Sequence, residues 1–369
     1  MHCAATDAQR SLTIGIDARA ATEVVAGRGR VVRELLRALA RRKDSHTYRL
    51  YARARWEEPL DERFRWELIG SGDALWNVRI AAAANRSCDV FLSSNSYLTV
   101  VLLRVPSVVI VYDLVSFNRT LRASRRSAVI ERFTLGPAVR RASALWCISQ
   151  ATSAALSERF PEATGKVAVV PLAVSPALSA PVTSEPAELP PSGFVLAVGT
   201  LEPRKNLPRL VAAYASLPRA LQDAHPLVVV GARGWRMGPT VAALRSLGER
   251  CTMLGEVSDA ALAELYRRCA VFCYPSLGEG FGLPVLEAMA AGAAVVTSSV
   301  SSLPEVGGDA VEYVDPKSVQ SIATGLARLL NSPERCAELG ELARHRAHKF
   351  SWEATAANVV DLLERAAGD

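Results

Sequence analysis

The sequence predicts an α/β protein made of two doubly wound parallel sheets, and two observations carry this prediction. Short apolar runs alternate with longer amphipathic segments along nearly all of the 369 residues, and strands that are apolar throughout are typical of parallel sheets with helices on both faces. A proline-rich run from Pro171 to Ser192 interrupts the alternation, because proline can neither continue a helix nor join a central strand. We therefore expect one Rossmann-like domain at residues 1–180, a second at 192–350, and a final helix at 351–369 that crosses back to the first.

The first half begins with a strand at 12–17 and a basic, amphipathic helix at 29–42. The further elements expected there are strands at 47–52, 89–94, 107–113, 144–149 and 166–172, and helices at 124–142 and 150–159. Length separates the two types, since strands run to about eight residues and helices to ten or more.

The second half repeats this rhythm. The elements expected there are strands at 194–200, 226–232, 251–255, 271–276, 294–298 and 311–315, and helices at 206–216, 239–247, 259–269 and 284–292. Three final helices, at 317–330, 334–348 and 352–366, have no strands between them, so we expect them to pack back across the joint. Because ligands of such sheets bind at the carboxyl ends of the strands, the cleft between the domains is the predicted site.

Composition excludes several classes of protein. Half of the residues are apolar and 22% are charged, which indicates a globular chain with a large core. No run of apolar residues is long enough to span a membrane, and the first ten residues lack a signal-peptide pattern, so we expect a cytoplasmic protein. The seven cysteines are scattered; Cys269 and Cys273 lie four apart, but no second Cys or His pair with zinc spacing accompanies them, so no metal is expected.

Charge is distributed unevenly along the chain. Residues 1–185 carry 26 Lys and Arg against 17 Asp and Glu, whereas residues 186–369 carry 17 against 20. A basic first half fits an anionic membrane surface or a phosphorylated substrate, or it reflects only an arginine-rich composition. No nucleic-acid-binding motif accompanies it, so nucleic acid is not an expected partner.

The stretch from 275 to 306 carries the most chemistry. A glycine loop at 278–282 follows a strand, and Pro284 then stands at the expected start of a helix, where proline is tolerated. Glycines let the backbone approach a ligand closely, and free amides at a helix start favour anionic oxygens or sugar hydroxyls. Glu279 and Glu287 lie eight residues apart, so the two carboxylates can hold two hydroxyl-rich parts of one ligand. The alternative is a purely structural glycine turn.

The string GEGFGLPVLEAMAAGAAVV resembles the E-x7-E signature of retaining GT-B glycosyltransferases, the group 1 or family 4 type that includes bacterial mannosyltransferases. Similar segments extend over nearly the whole chain. VGTLEPRKN resembles the basic motif of the donor domain, GIDARAATEVVAGRGRVVRELLRAL the opening of the acceptor domain, and WCISQATSAAL a segment that follows an acceptor-domain strand. The resemblance implies a GT-B fold, in which an N-terminal acceptor domain and a C-terminal donor domain face each other across a cleft.

Carried over residue by residue, the resemblance implies roles for a set of positions. Arg204 and Lys205 would bind the donor diphosphate and stabilise the leaving charge without a metal. Glu287 would hold the ribose hydroxyls, and Glu279 would bind a hydroxyl of the transferred sugar. The other implied donor-site residues are Gly280, Phe281, Gly282 and Leu283 in the loop, Val257 near the base, and Gly27 and Gly29 beneath the diphosphate.

One position departs from the pattern of this family. The family commonly shows a His-Asp pair after the strand at 107–113, whereas this chain has Tyr112 and Asp113. Tyrosine can donate a hydrogen bond but is no general base near neutral pH. We keep both residues as catalytic candidates, with a strand-end cap as the alternative for Asp113.

The function that the resemblance implies is retaining transfer of a hexose from a nucleotide sugar, with mannose from GDP-mannose as the expected example. The acceptor would be a saccharide or a lipid-linked glycan in cell-surface polysaccharide or O-antigen biosynthesis. Two alternatives stay open. One is a sugar-nucleotide epimerase or glucan synthase of the same fold, and the other is a catalytically silent binding partner.

The basic helix at 29–42 leaves a question about membranes open. It places five arginines beside an apolar stripe, and these are Arg30, Arg33, Arg37, Arg41 and Arg42. The pattern suits a core-facing helix with a solvated basic edge, which we favour. The alternative is contact with anionic lipid, which would make the protein peripheral at the inner face of the plasma membrane.

Overall fold

The computed structural model describes residues 11–24, 27–94, 96–117, 125–179, 189–235 and 237–368. Within these ranges the chain forms two separate parallel β-sheets, one in each half. Residues 180–188, which belong to the proline-rich run expected to join the halves, lie outside the described residues. The two sheets and their flanking helices confirm the predicted α/β fold class.

The first sheet has seven parallel strands in the order β3-β2-β1-β4-β5-β6-β7. They are β1 (Thr13–Asp17), β2 (Thr47–Ala52), β3 (Phe64–Leu68), β4 (Val90–Ser93), β5 (Ser107–Val111), β6 (Ala144–Cys147) and β7 (Val167–Val169). The strands β4, β5 and β6 are buried along their whole length, which accounts for a sequence that is apolar except for Ser93 and Ser107 at strand ends. The strand order reverses between β1 and β4, which is where a sheet of this kind opens a crevice for ligands.

The second sheet has six parallel strands in the order β10-β9-β8-β11-β12-β13. They are β8 (Val195–Val198), β9 (Leu227–Val230), β10 (Cys251–Gly255), β11 (Val271–Tyr274), β12 (Val295–Ser298) and β13 (Glu312–Val314). Here the order reverses between β8 and β11, so each sheet offers its own crevice.

Helices cover both sheets. The first half contains α1 (Arg19–Glu23), α2 (Arg28–Arg41), α3 (Asp73–Ser87), α4 (Tyr97–Leu102), α5 (Arg125–Arg141), α6 (Gln150–Arg159) and α7 (Pro176–Ser179). The second half contains α8 (Leu207–Ala215), α9 (Arg219–Ala224), α10 (Gly238–Arg245), α11 (Asp259–Arg268), α12 (Leu283–Ala290), α13 (Leu303–Gly307), α14 (Val319–Leu330), α15 (Pro333–Ala347) and α16 (Trp352–Gly368). The last helix, α16, packs against α2 and against β4, β5 and β6 of the first sheet.

Several elements were not expected from the sequence. They are α1, β3, α3, α4, α7, α9 and α13. The strand β3 reads FRWEL and lies at the edge of its sheet, where only Phe64 is buried, so it lacks an apolar run. The helix α3 leaves Leu75 and Val78 exposed, so its apolar residues do not mark one face. Weak patterning of half-exposed elements explains both omissions.

The helix α2 faces the core, as favoured above. Its apolar residues Val31, Val32, Leu35, Leu36 and Leu39 are buried. Its arginines are engaged within the protein: Arg30 with Asp259 and Glu287, Arg33 with the carbonyls of Ala21 and Val24, Arg37 with Glu34 and Glu58, Arg41 with Glu353, and Arg42 with Asp44. Because most of these arginines pair with carboxylates of the protein, the basic edge of the helix is largely neutralised by ion pairs.

Candidate functional site

The carboxyl ends of the two sheets face each other across a cavity of about 650 Å³. Turns that follow β5, β8, β9, β10 and β11 contribute to its wall, which is where doubly wound sheets bind ligands. The predicted residues on this wall are Gly27, Tyr112, Asp113, Arg204, Lys205, Val257, Glu279, Gly280, Phe281, Gly282, Leu283 and Glu287. The fold therefore brings nearly all the predicted site residues to one place.

Arg204 and Lys205 lie in a single turn of 3₁₀ helix, Pro203–Lys205, that follows β8. Both cations contact the same carboxylate: the Lys205 Nζ lies 2.9 Å from the Glu279 Oε1, and the Arg204 guanidinium contacts the Glu279 Oε2. On its other side the Arg204 Nη2 lies 2.7 Å from the Glu202 Oε1. The two cations are thus held in place by counter-ions that already belong to the protein.

Glu279 is the centre of this network. Its side chain is 7% exposed, and its Oε1 also accepts hydrogen bonds from the Tyr274 hydroxyl at 2.8 Å and the Ser276 hydroxyl at 2.6 Å. Burial by itself would raise the pKa of this carboxyl, but Lys205 and Arg204 lower it to about 2. Glu279 is therefore ionised at neutral pH. Its contacts with Lys205 and Arg204 fix the positions of the two cations, and the sugar contact stays a prediction.

The glycine loop requires glycine at two positions for different reasons. Gly282 caps α12 with a φ of +110°, a backbone conformation that residues with a Cβ rarely adopt. A Cβ on Gly280 would lie 2.0 Å from the carbonyl oxygen of Tyr112, which belongs to the first half of the chain. The loop therefore crosses the cleft and touches the turn after β5. Pro284 occupies the second position of α12, within the first turn where its missing N–H costs nothing.

Glu287 lies on α12 and is 6% exposed. Its Oε1 accepts a hydrogen bond from the Arg30 Nη1 at 2.9 Å, and its Oε2 accepts one from the Tyr266 hydroxyl at 3.0 Å. Burial raises the pKa of this carboxyl, and the Arg30 guanidinium opposes the rise. Arg30 also contacts Asp259. The first half of the chain therefore reaches the carboxylate that was predicted to hold a ribose.

Tyr112 lines the cavity, but its hydroxyl is buried. The Oη atom is buried and has no hydrogen-bond partner in the described part of the chain, and burial raises the pKa of Tyr112. Its ring instead lies under the guanidinium of Arg28, whose Cζ is 5.1 Å from the ring centre. A catalytic role for the Tyr112 hydroxyl stays a prediction, beside this contact of its ring with Arg28.

Asp113 has the local role that was left open as the alternative. Its Oδ1 accepts a hydrogen bond from the backbone N–H of Val115 at 2.9 Å, so it caps the turn at the end of β5. The residue also lines the cavity. A catalytic role for Asp113 stays a prediction beside this capping role.

Gly27 and Gly29 have different roles. Gly27 lines the cavity and starts α2 with a φ of +56°. Gly29 is absent from the described wall: a Cβ there would lie 1.7 Å from the carbonyl oxygen of Val24 and 2.7 Å from that of Ala20. Glycine at this position allows α2 to pack closely on the backbone around α1, and its place beneath the diphosphate stays a prediction.

Several residues of the site were missed in the sequence. They are Arg28 and Arg30 from α2, Glu202 beside Arg204, and Tyr266, Tyr274 and Ser276 around the two carboxylates. Arg30 had been placed on the basic edge of its helix. The available signal was the position of the GRGR string, which opens the long helix expected between the first two strands and therefore lies near the carboxyl edge of the sheet.

Positively charged side chains line the cavity. In the described ranges, no group of three or more His, Cys, Asp or Glu side chains has an arrangement that could hold a metal ion. Arg204 and Lys205, with Arg28 on the opposite wall, are cations that line the cavity. An anionic ligand that entered the cavity would therefore meet guanidinium and ammonium groups.

Comparison with known proteins agrees with this geometry. Residues 185–346 match the family described as glycosyl transferases group 1. The chain is 42% identical over 187 residues to the O-antigen chain mannosyltransferase B of Escherichia coli, an alignment that covers 48% of this chain and 47% of that protein. It is 33% identical over 229 residues to the MMP alpha-(1->4)-mannosyltransferase of Mycolicibacterium hassiacum, which covers 60% and 54%. The chain thus spans about half the length of these curated relatives.

Solved structures extend the likeness to the whole fold. The sucrose-phosphate synthase of Thermosynechococcus elongatus superimposes with a TM-score of 0.76 at 21% identity, covering 96% of this chain and 99% of that one. The Anabaena protein Alr3699/HepE, in complex with UDP and glucose, gives 0.71 at 18%, covering 95% and 99%. At these identities the likeness shows the fold, which is the GT-B arrangement of two Rossmann-like domains facing across a cleft.

Proposed function

Residues 185–346 of this chain belong to the group 1 glycosyl transferases, and from that premise we propose that the protein transfers a hexose from a nucleoside diphosphate sugar to a saccharide or lipid-linked acceptor. The observation that carries the proposal is the pair of cations, Arg204 and Lys205, held beside the glycine loop on the wall of the cavity. A nucleoside diphosphate is a strongly anionic leaving group. Two positioned cations stabilise the charge that develops on it as the glycosidic bond breaks.

In the proposed reaction the bond between the anomeric carbon and the phosphate oxygen breaks, and its electron pair stays on the diphosphate. The acceptor hydroxyl attacks from the face that the diphosphate leaves, so the configuration is retained. The proton of that hydroxyl passes to the leaving phosphate oxygen, and no protein base is required. This route suits a site in which the Tyr112 hydroxyl is buried and the Glu279 carboxylate is occupied by two cations.

The sugar that we propose is mannose, with GDP-mannose as the donor. Support comes from the names of the relatives, two of which are mannosyltransferases. One of them acts on an O-antigen chain by its name, so we propose a growing cell-surface polysaccharide as the acceptor. A panel of donors tests this directly: GDP-mannose, UDP-glucose and UDP-galactose are each incubated with the full chain, with and without mannose-terminated oligosaccharides.

The expected result is release of GDP from GDP-mannose, increased by the oligosaccharide, with an axial linkage that proton NMR identifies as retained. Binding of GDP without turnover of any donor would contradict the proposal and support a catalytically silent binding partner. Interconversion of one nucleotide sugar into another, without transfer, would support the epimerase alternative.

Glu287→Gln should weaken the binding of GDP by about tenfold, because a charge-assisted hydrogen bond to a ribose hydroxyl is lost. A ribose diol would share this carboxylate with Arg30 and Tyr266, since a carboxylate offers about four acceptor positions. Calorimetry measures the affinity for GDP and, as the control ligand, for inorganic pyrophosphate, which has no ribose. If pyrophosphate binding fell as much as GDP binding, Glu287 would not be the ribose contact.

Membrane contact is a further part of the proposal, and we place it on a different surface from the basic helix α2. Among the described residues no helix combines the length and the apolar composition needed to cross a bilayer. The helix α5 exposes Val129, Ile130 and Phe133, and Phe133 is 77% exposed. The neighbouring α4 exposes three further apolar residues, Leu98, Val101 and Leu102. Because the first half carries the excess positive charge, we propose that this apolar surface rests on anionic lipid.

Sedimentation with anionic and neutral vesicles tests this surface. Wild-type protein should adsorb to anionic vesicles at low salt, and the double change Ile130→Ser with Phe133→Ser should lower adsorption by about tenfold or more, since the buried apolar area is lost. Leu342→Ser, on the exposed face of α15 in the second half, is the matched control. Failure of the wild type to bind anionic vesicles at low salt would leave a soluble acceptor as the proposal.

A further inference from the structure

The short helix α13 is joined to the glycine loop. The Ser301 hydroxyl accepts a hydrogen bond from the backbone N–H of Glu279 at 2.9 Å. The Ser302 hydroxyl donates to the carbonyl oxygens of Glu279 at 3.0 Å and Phe281 at 2.7 Å. The loop that carries Glu279 and the start of α13 therefore form one hydrogen-bonded unit.

The opposite side of α13 contacts the first half of the chain. The Glu305 Oε2 accepts from the backbone N–H of Gln150 at 2.7 Å, and the Oε1 accepts from that of Ala151 at 2.6 Å. These amides open α6, where they have no acceptor within the helix. The hydroxyl of the N-cap residue Ser149 accepts a hydrogen bond from the backbone N–H of Thr152 at 3.0 Å. Glu305, from the other half of the chain, completes the cap, and its negative charge is favourable at the N-terminus of a helix.

Other contacts across the cleft converge on the same place. The Thr152 hydroxyl donates to the carbonyl oxygens of Gly280 at 3.3 Å and Tyr112 at 3.4 Å. Behind Glu305, the Arg346 guanidinium donates to the carbonyl oxygens of Glu305 and Val306, each at 2.6 Å. Thus α13 is anchored to α15 on one side while its carboxylate holds α6 on the other.

We propose that Glu305 is a positioning residue for the transfer reaction. It sets the separation between the glycine loop, which carries the donor-binding groups, and the turn at Tyr112 and Asp113 in the acceptor half. Glu305 is absent from the described wall of the cavity, so it acts on the reactants through the loop and α6. The inference rests on the proposed function, because the reaction needs both walls of the cleft at a fixed distance.

A positioning role predicts that kcat and the affinity for GDP respond differently to the loss of Glu305. Glu305→Ala should lower kcat by about tenfold or more, since two charge-assisted hydrogen bonds that fix the cleft are lost. The affinity for GDP should stay within about twofold, because Lys205 and Glu287 lie in the intact second half. The kcat of Glu305→Gln should lie between those of the wild type and Glu305→Ala, because the glutamine amide keeps one oxygen that can accept a hydrogen bond. The matched control is Glu341→Ala, which removes an exposed carboxylate on α15 and should change neither quantity.

Hydrogen exchange at the amides of Gln150 and Ala151 observes the contact without any substrate. The wild type should protect both amides, and Glu305→Ala should expose them while the amides of the second sheet keep their protection. Faster exchange at Gln150 and Ala151 with an unchanged kcat would overturn the positioning role, as would a loss of GDP affinity as large as the loss of kcat.

The same data separate this inference from the proposed function. An active wild type with unprotected Gln150 and Ala151 amides would refute Glu305 alone. A wild type with protected amides that turns over none of the donors would refute the transferase proposal, and the positioning role with it.

Discussion

Replacing Lys205 or Arg204 with alanine should lower kcat/KM by about 30- to 1,000-fold, which corresponds to roughly 2–4 kcal/mol of transition-state stabilisation. Each side chain is held against Glu279, so it is already oriented when the donor arrives. The loss should appear mainly in the chemical step, because the leaving charge is largest in the transition state. Steady-state kinetics with GDP-mannose measures it.

The control for this change is Arg209→Ala. Arg209 lies on α8 in the same segment, is exposed, and donates to the Asn206 side chain instead of facing the cavity. Activity of the wild type should persist in EDTA, since the proposed clamp consists of side chains. Turnover that collapses on chelation and returns with magnesium would show that a metal, and not the pair of cations, stabilises the leaving group.

Lys205→Ala also leaves Glu279 buried with fewer donors, so stability has to be measured beside activity. The buried carboxylate then keeps Arg204, Tyr274 and Ser276 but loses one of its two cations, which should appear as a lower Tm. The double change Lys205→Met with Glu279→Gln removes both charges and should unfold at a higher temperature than Lys205→Met alone. That comparison separates loss of catalysis from loss of fold.

The second large effect is expected for Glu279→Gln, which should lower turnover by about 100-fold and leave the affinity for GDP nearly unchanged. The carboxylate accepts from Lys205, Arg204, Tyr274 and Ser276, whereas an amide presents one oxygen and directs its NH₂ at a cation. The cations then lose their fixed positions but keep their charge. A diphosphate still binds to them, yet they no longer match the transition state.

Glu202→Gln provides the comparison for this change. The Glu202 carboxylate pairs with Arg204, and no described hydrogen bond or ion pair joins it to the Lys205 side chain or to the glycine loop, so its effect on turnover should be smaller. Calorimetry with GDP completes the test. If Glu279→Gln weakened GDP as strongly as Glu287→Gln, the separate roles assigned to the two carboxylates would be wrong.

The fold could be read from the sequence because both sheets are parallel and buried. Strands such as β5 and β11 are covered on both faces, so their sequences are almost entirely apolar and each stands out between amphipathic segments. The edge strand β3 and the half-exposed helix α3 carry no such signal. Their place is decided by neighbours that are distant in the sequence.

The sequence predicted most of the residues that line the cavity, but not which of them contact one another. Lys205 and Glu279 were placed in one cavity by motif alone, yet only the structure joins them, because an ion pair between residues 74 positions apart leaves no local pattern. The same limit explains Arg30, whose helix reads as amphipathic while its guanidinium lies on Glu287 in the other half. Gly29 differs from both, because it belongs to a motif but is required to be glycine by the close approach of the backbone around α1.

The position of α16 has a consequence for biosynthesis. This helix follows the entire second half in the sequence, yet it packs against α2 and against β4, β5 and β6 of the first sheet. A ribosome delivers those three strands well before Val359, Val360 and Leu363, which are buried in the finished molecule. At about 5–20 residues per second, the apolar surface that awaits α16 stays open for on the order of ten seconds or more. During that interval we expect the first half to be the part of the nascent chain most exposed to aggregation.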